Sequence, residues 1–159
     1  MLLAACQQPA QPEPSRPSPT PPQAPRVSAA EQFAELEADY TAQVERLQDR
    51  LDNARSLTLA RLIWADFADT EQEFLGRLEQ IEFPADVSGL ALELRTSDRR
   101  LLELEQRLAA EQSDAAYFDL LGELEDANRA VSDALMALRS RLGIRDTPEP
   151  STSASRSPS

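Results

Sequence analysis

The chain has 159 residues, which is enough for one domain with a hydrophobic core. It carries 28 acidic residues against 16 arginines and has neither lysine nor histidine, so its net charge of −12 argues against nucleic-acid binding. Without histidine or lysine it cannot form the usual nucleophilic pairs with serine or cysteine, and its four scattered glycines make no phosphate-binding loop. We therefore expect a protein that is not an enzyme and that uses no cofactor and no metal.

The N-terminal region contains the only cysteine of the chain, at the end of Leu3-Ala4-Ala5-Cys6. Behind it, residues 7–26 are rich in proline and contain no large apolar side chain. Such a segment cannot bury a core, and we expect a disordered, extended spacer that reaches on the order of 60 Å at about 3.1 Å per residue. A cysteine that ends such a tetrapeptide and is followed by a proline-rich spacer resembles the lipidated cysteine of a bacterial lipoprotein, so we expect a lipid on Cys6. The alternative is a cytosolic protein with an incidental cysteine in a flexible tail.

The first predicted helix begins at Ser28, because Ser28 and Glu31 fit a capping box. Apolar residues then recur at alternating spacings of three and four, which is typical of a helix with one buried face. They are Phe33, Leu36, Tyr40, Val44, Leu47, Leu51 and Ala54. Residues 52–58 are predicted to form a turn, although no glycine or proline marks it. The alternative is one continuous helix over 29–81 in an extended coiled coil.

The second helix is predicted over 59–81, with Trp64 in its apolar face. Its buried positions are Ala60, Ile63, Phe67, Thr70, Phe74, Leu78 and Ile81. Pro84 and Asp86 are typical of the first turn of a helix, so they predict where the third helix begins. Its buried positions are Val87, Leu90, Leu94, Ser97, Leu101, Leu104 and Leu108.

The fourth helix is predicted to begin behind the turn at Ser113 and Asp114. Its buried positions are Tyr117, Leu121, Leu124, Asn128, Val131, Leu135, Leu138 and Leu142. Gly143 stands where a C-terminal glycine ends a helix, and Ile144 fits the apolar contact of a Schellman motif. The four stripes and their short connections predict an all-α protein, an antiparallel up-down-up-down four-helix bundle over 27–144. A disordered tail rich in serine, threonine and proline follows at 145–159.

Together these features resemble a group of uncharacterised actinobacterial lipoproteins, over most of the chain. The matching parts are the Leu3-Ala4-Ala5-Cys6 lipobox, the proline-rich spacer, the Ile81-Glu82-Phe83-Pro84 corner and the Leu138-Arg139…Leu142-Gly143-Ile144 ending. The resemblance implies a domain anchored to the cell membrane by a lipid on Cys6, on the extracytoplasmic face, and it brings no known activity. Residues 1–6 would then be the remnant of a truncated signal, because they are shorter than a secretory signal.

Three predicted helices each contain one polar residue near the middle of the buried stripe: Thr70, Ser97 and Asn128. In an antiparallel bundle the midpoints of the helices lie at one level, so these side chains are predicted to meet in a buried polar layer, with Tyr40 and Gln43 close enough to join. A buried hydroxyl or amide without a partner costs roughly 1–3 kcal/mol, so the groups should bond to one another or to water. The layer would fix the helix register or, alternatively, line a pocket for a small ligand. The remaining alternative is that these residues face outward.

The function that the sequence favours is a lipid-anchored cell-envelope protein that presents a helical bundle to an envelope protein partner, or serves as a structural module. The alternative is a protein that binds a small molecule or a cation, in the polar layer or on acidic helix faces. Two such faces are predicted to be exposed: Asp66, Asp69 and Glu73 on the second helix, and Glu123 and Asp126 on the fourth. The oligomeric state stays open.

Overall fold

The computed structural model describes residues 27–145, and this part of the chain forms four α-helices and no strand. The helices are α1 (Ala29–Asp52), α2 (Leu57–Leu78), α3 (Ser88–Ala110) and α4 (Asp114–Leu142). The predicted all-α fold is confirmed. The predicted lipidation site at Cys6, the predicted spacer over 7–26 and the predicted tail over 145–159, apart from Arg145, lie outside the described residues. No helix between residues 27 and 145 is both long and apolar enough to cross a membrane.

The outer ends of the bundle have the caps that the sequence predicts. The Ser28 hydroxyl accepts a hydrogen bond from the backbone N–H of Glu31, whose carboxylate accepts one from the backbone N–H of Ser28 at 2.8 Å. At the end of α4, Gly143 has a φ of 72°, and the N–H of Ile144 donates to the carbonyl of Arg139 at 3.0 Å. These bonds form the predicted capping box and Schellman motif.

A break separates α1 from α2, so the alternative of one helix over 29–81 is wrong. Residues 53–56 form the connection, and the Ser56 hydroxyl caps α2 by accepting a hydrogen bond from the N–H of Leu59. α2 therefore begins at Leu57, two residues earlier than predicted, because Ser56 satisfies a free N–H group of the first turn.

The prediction that Pro84 lies in the first turn of the third helix is wrong. The Pro84 carbonyl accepts hydrogen bonds from the N–H groups of Val87 and Ser88, both at 2.9 Å, so the proline begins a separate turn. α3 starts only at Ser88, and Val87 ahead of it provides no side-chain cap. Asp86 does not cap the helix either, because its carboxylate pairs with Arg141 of α4 at 2.8 Å.

α1 and α2 run in opposite directions. Asp39, in the first half of α1, pairs with Arg77 near the end of α2, whereas Arg50 near the end of α1 pairs with Asp66 in the first half of α2. Close approaches between helices occur mainly between chain neighbours, α1 with α2, α2 with α3 and α3 with α4. This arrangement is compatible with the predicted up-down-up-down topology.

The buried apolar side chains form two separate clusters. The first, named here the Trp64 cluster, includes Trp64, Phe67 and Leu104, and the indole N–H of Trp64 donates to the Tyr117 hydroxyl at 2.8 Å. The second, the Phe33 cluster, includes Phe33 and other residues toward the opposite end of the bundle. The core is thus divided near the middle of the helices, and the residues at this division are polar.

Candidate functional site

The division between the two clusters is occupied by Tyr40 of α1, Glu71 of α2 and Asp98 of α3. Glu105 of α3 lies one heptad further, among the leucines of the Trp64 cluster, and the four side chains together are named here the acid layer. Asp98 is fully buried, Glu71 is 1% exposed and Glu105 is 4% exposed. Carboxyl groups are almost never buried to this extent without a partner of opposite charge. The layer is therefore the most unusual chemical feature of the described chain.

Helical periodicity places these carboxyls inside the bundle. Glu71 lies four residues after Phe67 and three before Phe74, and both of these side chains are buried. Asp98 has the same relation to Leu94 and Leu101 in α3. Glu105 repeats it one heptad later, between two buried leucines. Residues at these spacings share one helix face, so the flanking apolar side chains bury the acids with them.

Hydrogen bonds within the layer are incomplete as long as the carboxyl groups are ionised. The Tyr40 hydroxyl donates to Oε2 of Glu71 at 2.5 Å, and the ring of Tyr40 packs on that of Phe74 with 4.5 Å between centroids. Both oxygens of Asp98, Oε1 of Glu71 and Oε2 of Glu105 are buried without a hydrogen-bond donor. A proton on Asp98 removes part of this deficit, because the protonated carboxyl donates to Glu71.

Burial raises the pKa values of all three carboxyls. For Asp98, desolvation and then the neighbouring Glu71 raise the pKa to about 9. For Glu105, the same two causes in the same order raise the pKa to about 9. Desolvation also raises the pKa of Glu71, although the hydrogen bonds from Tyr40 and Asp98 oppose that effect. The layer therefore holds protons at neutral pH, where exposed carboxyls have lost them.

The chemistry open to the acid layer is proton binding rather than capture of a larger ligand. The space beside Tyr40, bounded by Gln43, Thr70 and Phe74, holds about 10 Å³. That volume admits about one water molecule and no organic ligand. Within residues 27–145 no three acidic side chains are arranged to hold a metal ion.

The residues of the predicted polar layer are only partly together. Tyr40, Gln43 and Thr70 share the small space described above. Thr70 is half-buried and donates to the Asp66 carbonyl of its own helix at 2.9 Å, not to another helix. Ser97 is half-buried, and the next residue, Asp98, is the one that is fully buried.

Asn128 is exposed, so the prediction that it lies in the core is wrong. Tyr117, Leu124 and Leu138 are buried as predicted, but the positions between them are shifted by one residue: Leu120, Ala127 and Ala134 are buried where Leu121, Asn128 and Leu135 were expected. Alanine gives a weak signal in an apolar pattern, yet its small side chain lets two helices approach closely. The larger leucines near it drew the prediction to the wrong phase.

A groove of about 470 Å³ lies between α1 and the end of α4. The side chains of α1 that line it are mostly small: Ala34, Ala38, Thr41 and Ala42. α1 and α4 are joined across this side by Glu37, whose carboxylate accepts a hydrogen bond from Arg139 at 2.5 Å. The close approach of α1 is therefore to α2. On the side that faces α4, the groove separates the two helices, and the bond between Glu37 and Arg139 crosses it.

The predicted acidic faces contribute to ion pairs on the surface. Asp66 pairs with Arg50 at 2.7 Å, and Glu123 pairs with both Arg100 and Arg107 of α3. These groups are about half exposed, and ion pairs of this kind contribute little to stability.

Comparison with protein-family models, with curated proteins and with solved structures finds no match for this chain.

Proposed function

We propose that this protein is a non-enzymatic, lipid-anchored protein of the cell envelope whose helical bundle is an interaction module. The observation that carries the module is the groove between α1 and α4, because one helix of the bundle has close packing on one side only. Small side chains on α1 leave room for another polypeptide. Anchoring is supported by the lipobox ending in Cys6 and by the spacer behind it.

The groove suits a helix of a partner protein. Ala34, Ala38 and Ala42 recur every four residues along α1, so they form one smooth strip on which a second helix can lie. Glu45, an exposed carboxylate, borders this strip. An amphipathic helix with small or apolar residues toward α1 and basic residues at its margin would complement both features.

Other parts of the surface provide less support for a docking site. The exposed large apolar side chains between residues 27 and 145 are Val27, Leu59, Leu62, Leu92, Phe118 and Met136. Leu59 and Leu62 are one turn apart on α2, and the others are far from one another in the sequence. Isolated exposed apolar residues are common in monomeric proteins and do not mark an interface. Binding of a small molecule in the acid layer has no support either, because the space there admits about one water molecule.

Site-specific photo-crosslinking in the membrane of the native host tests the module. A photo-reactive residue at Ala38 or Ala42 should give a discrete crosslinked product, whereas the same residue at Ala130, an equally small and exposed position on α4, should not. Adding Ala38→Arg to the Ala42 probe should abolish the product without lowering the melting temperature. Equal products at Ala38 and Ala130, or none at Ala38, would contradict the proposal.

Fractionation of the same cells tests the anchor separately. Two or more acyl chains hold a protein stably on a membrane, so the wild type should sediment with membranes and Cys6→Ser should be released to the soluble fraction. A wild-type protein that is itself soluble would contradict anchoring while leaving the module intact.

A further inference from the structure

The acid layer carries an inference that does not depend on the proposed partner. Each carboxyl in it titrates against its neighbours, since Glu71, Asp98 and Glu105 all raise the pKa of the Tyr40 hydroxyl above its usual range. No arginine of residues 27–145 stabilises the ionised form of these three carboxyls. Loss of protons therefore places like charges next to one another in an apolar core, where charge repulsion is strong.

Every helix contributes to the surroundings of the layer. α1 supplies Tyr40, and α2 and α3 supply the three carboxyls. At this level α4 supplies Val131, an apolar residue that contacts both clusters. Two partly buried arginines are engaged elsewhere: Arg139 pairs with Glu37, and Arg95 donates to the Leu78 carbonyl at 3.2 Å. Arg99 and Arg100, which follow Asp98 in the chain, pair on the surface with Glu79 and Glu123.

Water can reach the layer with least loss of packing if α1 moves. The carboxyls belong to α2 and α3, which pack on each other, and α3 packs on α4. α1 approaches only α2 closely, and its described hydrogen bond to the layer is the one from Tyr40 to Glu71. A displacement of α1 would hydrate the ionised carboxyls and leave the α2–α3 and α3–α4 contacts in place.

We propose that loss of protons from the acid layer releases α1 from the other three helices, so that the bundle opens along the α1–α4 groove as the pH rises. Phe33 and Leu36 of α1 are almost fully buried and oppose this release. The bundle therefore stays closed in acid and exchanges between closed and open forms at mildly alkaline pH. The open form exposes the layer and widens the groove.

Hydrogen–deuterium exchange of the full chain between pH 5 and pH 8.5, corrected for the intrinsic exchange rate, tests this proposal. Protection of the backbone amides in α1 should fall at least tenfold over that range, and protection in α3 should fall much less. Equal losses in α1 and α3 would show global unfolding instead and would overturn the proposal, as would an α1 whose protection does not change.

Matched variants distinguish the layer from the surface charge. Combining Glu71→Gln, Asp98→Asn and Glu105→Gln should remove the pH dependence in α1. The combination Asp49→Asn, Asp69→Asn and Asp119→Asn removes the same number of carboxyl groups from exposed positions and should leave the dependence unchanged. If the core combination does not fold, Asp98→Asn alone should still reduce the loss of α1 protection at pH 8.5 severalfold. A dependence that persists in the core variants, or that disappears in the surface variant, would overturn the proposal.

Discussion

Replacement of Asp98 by asparagine should stabilise the bundle, and the gain should grow with pH. In the folded protein the pKa of Asp98 is raised to about 9 from its usual value of 3.8, first by burial and then by Glu71. The folded state therefore binds a proton that the unfolded state has lost between these two pH values. Stability is highest below the lower value and falls as the pH rises toward the higher one. The asparagine side chain would need no proton, and its amide would still donate to Glu71.

The size of the gain follows from the same pKa difference. One unit corresponds to 1.36 kcal/mol, and pH 7 lies about three units above the unfolded pKa, which gives an upper bound of about 4 kcal/mol. Local relaxation and entry of water lower this value, so we expect a gain of about 2–4 kcal/mol at pH 7, about 1 kcal/mol at pH 5 and nearly none at pH 4.

Urea unfolding followed by the fluorescence of Trp64, the only tryptophan and a buried one, measures this effect. With a slope of about 2 kcal/mol per molar urea, a gain of about 3 kcal/mol raises the midpoint by roughly 1.5 M. Asp133→Asn, which removes an equal charge from an exposed position on α4, is the control and should change the midpoint little at any pH. A gain for Asp98→Asn that is the same at pH 4 and pH 8, or a loss at pH 8, would refute the reasoning.

Three further predictions concern the apolar core and the helix ends. Leu104 is fully buried, so Leu104→Ala should lower the free energy of unfolding by about 2–5 kcal/mol in urea titrations, whereas the same change at exposed Leu92 should cost less than about 1 kcal/mol. Tyr117→Phe leaves the indole N–H of Trp64 without its acceptor and should cost about 1–3 kcal/mol, with a change in the tryptophan emission spectrum. Gly143→Ala places a side chain at a φ of 72° and should lower stability by about 1 kcal/mol, whereas Gly122→Ala inside α4 should raise stability.

Helix ends were predictable where one side chain satisfies a nearby backbone group. The Ser28 capping box and the Gly143 ending depend on residues within one turn, so the local sequence contains the whole interaction. The start of α3 was not predictable in this way, because Pro84 is compatible both with a first helical turn and with a separate turn ahead of a helix. Asp86 pairs with Arg141 of α4. These two residues are 55 positions apart in the sequence, so the local sequence around Pro84 does not contain this interaction.

The presence of a polar layer near the middle of the helices could be inferred from the sequence, but most of its residues could not. Thr70 and Ser97 were predicted because they continue the alternating spacing of three and four in their apolar stripes, and acids are normally expected on the solvent side. The buried positions are instead the adjacent residues, Glu71 and Asp98. The signal that would have found them is the bracketing by large apolar residues four before and three after, which Glu37 shares in α1.

The acid layer also explains why one helix register prevails over its neighbours. Leu94, Leu101 and Leu108 are spaced by seven residues, so a shift of α3 by one heptad, about 10 Å along its axis, would again place leucines against the core. Asp98 and Glu105 have the same spacing, yet both interact with Glu71, and a shift in either direction would separate at least one of them from it. The displaced carboxyl would then lie in an apolar cluster without a hydrogen-bond partner, which costs free energy even though leucines again face the core. We therefore interpret the layer as the feature that fixes the alignment of α2 and α3, at a cost in stability that grows as the pH rises.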